Sequence, residues 1–383
     1  MTSSPDLERP DQPVAPVGAV DRITTLDAVR GVAVLGILLM NAVSFALPPG
    51  AYFNIETGGS STTLDRIIGG LGEVLVDQKF MALFSMLFGA GIVLFADRAE
   101  AKGKRAGRLS LWRNALLFLI GLVHGAFWDG DVLVLYAICA PLLLGLRRQP
   151  PRTLLVLGVG IVALSPIAAL LAHASMDDPA AELGEYWFAD GEPSDAVGLF
   201  FYTDVISRAL GLMLIGVALH RTGVITGERP TACYRRLAAW GLGVGLPLAA
   251  LGHAMHALDD FSPDVALLGT IPNTIATIPV AVGYLAVIAL WDRRSESPLH
   301  RRVRAVGRMA LTNYLTQTAL GLLLLDVAMG STEPSRTAIL GVVLGIWAIQ
   351  LWWSPLWLRW FRSGPAEWVW RCATYRRIVP LRR

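Results

Sequence analysis

Charge is what this sequence has least of. Only 16% of its 383 residues are Asp, Glu, Lys or Arg, against about 25% in soluble domains, while 54% are apolar. A chain so poor in charge cannot clothe a soluble surface of its own size, and it reads as a polytopic membrane protein. Cysteine is scarce too. Cys139, Cys233 and Cys372 stand far apart with no C-x-x-C or Cys-to-His spacing, which excludes a disulfide framework and a zinc knuckle. There is no G-x-S-x-G elbow, no P-loop, no G-x-G-x-x-G after a strand and no H-E-x-x-H. Those absences set aside soluble-type hydrolases, nucleotide-driven pumps and zinc peptidases. The basic residues fall in short clusters between apolar runs and not on one face, so nucleic acid is not an expected partner.

The first 22 residues lack an apolar period and are rich in Pro and polar residues, as expected of a disordered cytoplasmic tail. No basic n-region or small-residue cleavage site precedes the first apolar run, which is therefore expected to be a retained helix and not a signal peptide. A membrane helix needs about 20 apolar residues, and ten runs of about that length are present, roughly 29–47, 79–96, 111–128, 131–146, 153–172, 198–219, 237–256, 265–291, 308–326 and 337–358. Taking alternate connections, 28 of the 33 Lys and Arg residues gather on one side. One long connection on the other side, 173–197, carries no Lys or Arg but has Asp177, Asp178, Glu182, Glu185, Asp190, Glu192 and Asp195. The positive-inside rule then predicts an all-α integral membrane protein of ten spans, with both termini in the cytoplasm, set in a plasma membrane. Residues 23–362 form the transmembrane domain, and 363–383 a basic cytoplasmic segment. Between the first two spans, Ile67, Ile68, Leu71, Val74 and Leu75 recur at helical spacing and predict an amphipathic helix at the outer interface. The pairs Gly121/Gly125, Gly241/Gly245 and Gly341/Gly345 predict closely packed helices.

Ionisable groups inside a bilayer are costly, so each one is a candidate for function. Asp27 and Arg30 open the first span one turn apart. Two readings are open: a helix-end ion pair with the Arg snorkelling to headgroups, or an Arg turned inward to hold an anionic donor. Asn41 closes that run. "GLVHGAFWDGDVLVLY" places His124 and Asp131 on two helices joined by a very short turn, the arrangement by which a carboxylate fixes a histidine for acid/base work. Lys79, with Asp77 and Glu73 nearby, opens the second span, and Asp204 and Arg208 are spaced i to i+4, which lets them pair; both clusters can be structural ion pairs. "GRMALTNYLTQTAL" sets Asn313 and Gln317 on one face, either as glue between helices or lining a cavity. His253, His256 and Asp259 share a helix face, but one helix cannot supply a tetrahedral metal set, and no metal site is assigned.

"RITTLDAVRGVAVLGILLMNAVSF", "KFMALFSMLFGAGIVL", "RNALLFLIGLVHGAFWDGDVLVLYAICAPLLL", "GRMALTNYLTQTAL" and "GPAEWVWRCATY" together resemble the bacterial YeiB-like membrane proteins, the domain of unknown function 418 group. That group is in turn similar to the wider transmembrane acyltransferases. The resemblance implies an acyl group taken from a cytoplasmic thioester such as acyl-CoA, a co-substrate and not a bound cofactor, and delivered to a glycan or small acceptor of the cell envelope. The shared D-x-x-R-G opening is present as Asp27, Arg30 and Gly31, which the resemblance makes the donor entrance. Asn41 stands where the surface-sugar branch carries a histidine, so the general-base role passes to His124, oriented by Asp131. Two other classes compete with this reading: a transporter or exporter using Lys79, Asp204 and Arg208, and a non-catalytic envelope assembly partner.

Overall fold

The structure is a computed structural model that describes residues 23–103, 105–188, 191, 194–294, 296–327 and 333–383. The expected disordered tail, 1–22, lies outside the described residues. The described chain is helical almost throughout and has no strand beyond one isolated bridge between Phe361 and Arg382. In order the helices are α1 (Thr24–Asn41), α2 (Thr63–Leu75), α3 (Lys79–Ala101), α4 (Ala106–Gly125), α5 (Leu133–Leu146), α6 (Pro151–Val162), α7 (Leu164–Ser175) and α8 (Pro179–Phe188). They continue as α9 (Asp195–Arg221), α10 (Thr231–Leu258), α11 (Pro263–Asp292), α12 (Pro298–Arg308), α13 (Ala310–Gly321), α14 (Arg336–Trp360) and α15 (Pro365–Tyr375). Their starts are written locally. Thr62 and Asp65 form a capping box on α2, and Ser297 and His300 form one on α12. Proline occupies the first turn of α6, α11, α12 and α15, where its missing N–H would go unused in any case.

Among the described residues, eight segments are long and apolar enough to cross a membrane, by length and composition. The other two expected spans are shorter apolar helices, Leu133–Leu146 and Ala310–Leu325. The 14 residues of α5 rise only about 21 Å, against a hydrocarbon core of about 30 Å. The run 308–326 is shortened differently: a break at Met309 separates α12 from α13, which passes into a π-helical stretch, Leu322–Val327. The fifth run is also divided, breaking at Ala163 into α6 and α7, three residues before Pro166, whose ring cannot donate to the preceding turn.

The amphipathic helix is present as α2, with an unusual orientation. Asp65, Gly69 and Gly70 pack inward while Leu64, Ile67 and Leu71 are each more than half exposed. Such an outward apolar stripe suits lipid and not water. Of the glycine pairs, Gly241 and Gly245 lie against α11 as expected, where an added Cβ would come within 2.4 Å of Pro279 O and 2.5 Å of Val280 Cγ2. Gly341 and Gly345 differ: nothing lies within 4 Å of a Cβ at either, so this pair faces outward and packs no helix.

A very close helix crossing joins α1 to α12. A Cβ on Gly307 would lie 1.9 Å from Asp27 O, and one on Gly31 2.1 Å from Val303 O. The glycine of the D-x-x-R-G motif therefore brings α12 against the Asp27 turn, backbone to backbone. Replacing Gly307 with Ala should lower the unfolding temperature in detergent, with a loss of at least about 1–3 kcal/mol from overpacking. Gly341→Ala, in open space, should leave it unchanged or slightly raised.

Candidate functional site

One end of the bundle holds a cavity of about 260 Å³. Asp27 and Arg30 reach it from α1, Arg113 and Asn114 from α4, Arg308 from α12, and Glu367 and Arg371 from α15. Arg30 is turned inward, and a Cβ on Gly91 of α3 would sit 3.3 Å from its Nη2. Its guanidinium therefore lies between the cavity and α3. The Arg113 guanidinium is stacked between the rings of Phe95 and Trp370, 4.3 and 4.1 Å from their centroids. The Trp370 indole N–H donates to Arg113 O at 2.9 Å. Four guanidiniums thus face one cavity alongside two carboxylates, a surplus of positive charge in a partly desolvated space. Such a surplus recognises phosphate or carboxylate groups.

The closing "GPAEWVWR" acquires a structural reason here. Glu367 accepts from Leu311 N at 2.7 Å, Thr312 N at 3.0 Å and Thr312 Oγ1 at 2.5 Å, so it caps the N-terminus of α13 from a different helix. Burial raises the Glu367 pKa, and the hydrogen bonds from Thr312 offset part of that rise. A carboxyl raised above its unfolded value favours folding while it is protonated, and this contribution is lost as pH rises through the folded pKa. Thermal stability should therefore fall over that window in the wild type. Glu367→Gln, which cannot ionise, should flatten the fall in a melting series against pH.

Beyond the inner end of the cavity stands a second arrangement. The lining there includes Leu117, Leu133 and Tyr314. His124 lies two turns past Leu117 on α4, Asp131 two residues before Leu133, and Thr318 one turn past Tyr314. Asp131 Oδ2 accepts from Val134 N at 3.0 Å, and Asp131 Oδ1 is 2.7 Å from His124 Nδ1. Since the carboxylate can only accept, the neutral imidazole carries its proton on Nδ1 and leaves Nε2 as an acceptor. Thr318 Oγ1, 2.9 Å away, then donates to Nε2. The result is a carboxylate, an imidazole and a hydroxyl joined in series, with all three side chains buried and the Tyr314 and Trp128 rings 5.1 and 5.8 Å from the imidazole. An imidazole oriented in this way can take a proton from a hydroxyl at Nε2.

Residues 219–377 match the family described as "Protein of unknown function (DUF418)". Over 388 aligned residues the chain is 34% identical to the uncharacterized protein YeiB of Escherichia coli (strain K12), covering 94% of this chain and 98% of that one. The chain belongs to the YeiB-like DUF418 family. It is also 27% identical to the uncharacterized protein YxaH of Bacillus subtilis (strain 168), over 94% of this chain and 96% of the other. A 39.9 kDa protein encoded in the amylase 3' region of Bacillus acidopullulyticus is 29% identical, over 96% and 97%. In this YeiB-like chain the matched stretch 219–377 contributes Arg308, Thr318, Glu367 and Arg371. Arg30, Arg113, His124 and Asp131 lie upstream of it.

A third polar group occupies the opposite end of α1. Lys79, fully buried, donates to Glu73 O at 2.7 Å and to Asn273 Oδ1, and so is bonded to a backbone carbonyl and an amide where sequence suggested carboxylates. The Glu73 carboxylate turns instead to His253 Nδ1 at 2.7 Å and His256 Nδ1 at 3.3 Å. Asp77 Oδ2 accepts from Asn273 Nδ2 at 3.0 Å. Asp204 and Arg208 form the expected buried ion pair, with Ser165 also donating to Asp204.

The remaining candidates are placed apart from these groups. Asn313 Nδ2 donates to Val306 O and Ser354 Oγ, and Gln317 Nε2 to Val34 O and Gln350 Oε1, so both amides tie α13 to its neighbours. Asn41 is half-buried; its carbonyl accepts from Ser44 Oγ at 2.9 Å. Sequence reasoning missed Arg113, Arg308 and Arg371 as site residues, because an arginine that lines a cavity and one that marks a cytoplasmic loop look alike in a one-dimensional charge count.

Proposed function

We propose that this YeiB-like protein is a multi-pass membrane acyltransferase of the bacterial inner membrane. In this reading the ten apolar segments span the bilayer with both termini cytoplasmic. The arginine-lined cavity opens to the cytosol and takes the phosphates of an acyl-CoA, and His124 serves as general base toward an envelope or glycan hydroxyl. One observation carries it: the arginines that line the cavity and the imidazole stand at different depths along one helix. Arg113 and His124 are eleven residues apart on α4, a rise of about 16 Å. A donor bound by its phosphates must then carry its reactive carbonyl on a long thin arm, as a phosphopantetheine thioester does.

In the chemical step the acceptor hydroxyl replaces Thr318 as the group donating to His124 Nε2. It loses its proton to that nitrogen while its oxygen attacks the thioester carbonyl, and Asp131 stabilises the imidazolium that forms. The proton then passes to the departing thiolate. Since Tyr314 stands between the cavity and His124, its ring must move for the carbonyl to arrive.

The test is calorimetric binding to the purified protein of acetyl-CoA and of acetyl-pantetheine, which has the same thioester arm without phosphates. Binding of the first and not the second is expected, whereas equal binding of both, or of neither, overturns the reading. A transporter is the second reading, favoured by the buried Lys79 and the Asp204–Arg208 pair. It requires uptake into vesicles that collapses when the proton or sodium gradient is removed.

A further inference from the structure

A second cavity, of about 240 Å³, lies at the other end of the bundle. Its walls are apolar, with Leu39 from α1, Val43 from the 3-10 turn that follows it, Ile68 and Leu75 from α2, and Ile339 and Val343 from α14. Its polar end is formed by Tyr52, Glu73, Asp77 and Arg336. We propose that this groove takes the hydrocarbon chain of a bilayer amphiphile whose head group donates hydrogen bonds.

Three observations support this occupant. First, Leu71 and Leu75 belong both to the wall of the groove and to the exposed apolar stripe of α2, so the groove is continuous with a surface that only lipid covers without penalty. Second, the polar end is rich in acceptors, and its cations are already engaged. Arg336 donates to Ser60 Oγ, Ala51 O and Ile55 O, and Lys79 to Glu73 O and Asn273. The Glu73 carboxylate is held in place by His253 and His256, while the Asp77 carboxylate, with Oδ1 buried, lies beside the Tyr52 hydroxyl. A hydroxyl or ammonium head matches that end, and a phosphate does not. Third, the helical wheel of α2 puts Gly72 between Ile68 and Val76 on the cavity side, and a Cβ there would meet nothing within 4 Å. Space is thus left where any larger residue would fill the groove. The volume is below the 300–1,000 Å³ of drug-sized sites and suits part of one chain, with the remainder in the bilayer. The site does not depend on acyl transfer; if transfer holds, its place opposite the arginine cavity suits an amphiphilic acceptor.

The test uses the full-length protein in mild detergent and three long-chain photo-crosslinking probes that differ only in the head group: alcohol, amine and phosphate monoester. Alcohol and amine should label peptides from α2 and α14, and the phosphate should label them far less. Gly72→Phe should reduce that labelling at least about tenfold, since displacing as few as two methylenes costs that much affinity. Gly72→Ala should retain it. Leu340→Trp fills the groove from the facing wall and serves if the α2 variant does not fold. Equal labelling by the phosphate probe, undiminished labelling in the filled variants, or no labelling of α2 and α14 overturns the proposal. None of these readouts involves acetyl-CoA, so failure here and failure of the acyltransferase reading are separate results.

Discussion

His124→Ala should abolish the proposed acyl transfer, with single-turnover transfer expected to fall by about 10²–10⁴-fold while the protein still accumulates in the membrane and elutes as a single species. The size of the effect follows from the proton. Without Nε2, no group at that position takes a proton from the acceptor hydroxyl as it attacks, and Asp131, an acceptor already bonded to Val134 N, points at an empty space. Asp131→Asn should lose nearly as much for a different reason. An amide can present its NH₂ to Nδ1, which forces the opposite tautomer and puts the imidazole proton on Nε2, where it blocks catalysis. Thr318→Val separates this mechanism from a purely structural role. If Thr318 only occupies the place of the acceptor hydroxyl, the variant is less stable but keeps a large share of its transfer rate. If the three residues are merely a satisfied core cluster, all three variants lower the melting temperature and none changes the transfer rate measured on folded protein. That last pattern would end the assignment of His124.

The two halves of this site were unequally legible in the sequence, and the reason is geometric. His124 and Asp131 are seven residues apart across a turn too short to separate them, so proximity followed from chain connectivity, and the 2.7 Å contact needed no tertiary information. Thr318 is 194 residues from His124, one threonine among several in "ALTNYLTQTAL", and only the packing of α13 against α4 selects it. Lys79 shows the opposite failure. The carboxylates beside it in sequence suggested ion pairs, yet the left-handed backbone of Gln78, with φ of 62°, turns the chain so that Lys79 meets a carbonyl and an amide instead. The helices were readable because apolar length alone sets them. The true length of α13 was not, since its ends depend on Met309, on the Glu367 cap supplied from α15 and on the π-helical stretch that follows it.

Arg30 should prove the most informative of the four arginines. Arg30→Ala is expected to weaken acetyl-CoA binding by about 10–150-fold, the equivalent of one charge-assisted hydrogen bond at about 1.5–3 kcal/mol, with little change in thermal stability. Arg113 cannot give so clean a result. Its guanidinium is sandwiched between Phe95 and Trp370, so Arg113→Ala removes packing that holds α15 against α4 and should lower stability and affinity together. Arg30→Lys should recover little of the loss, because a point charge does not reproduce the planar fork that grips a phosphate. The double variant Arg30→Ala/Arg308→Ala should depart from additivity by 0.5 kcal/mol or more, since both side chains line the cavity that would hold the same phosphates. If Arg30→Ala binds acetyl-CoA within about twofold of wild type, a change smaller than about 0.5 kcal/mol, the cavity is not the donor entrance. The D-x-x-R-G opening would then mark only the close crossing of α1 and α12 at Gly31 and Gly307.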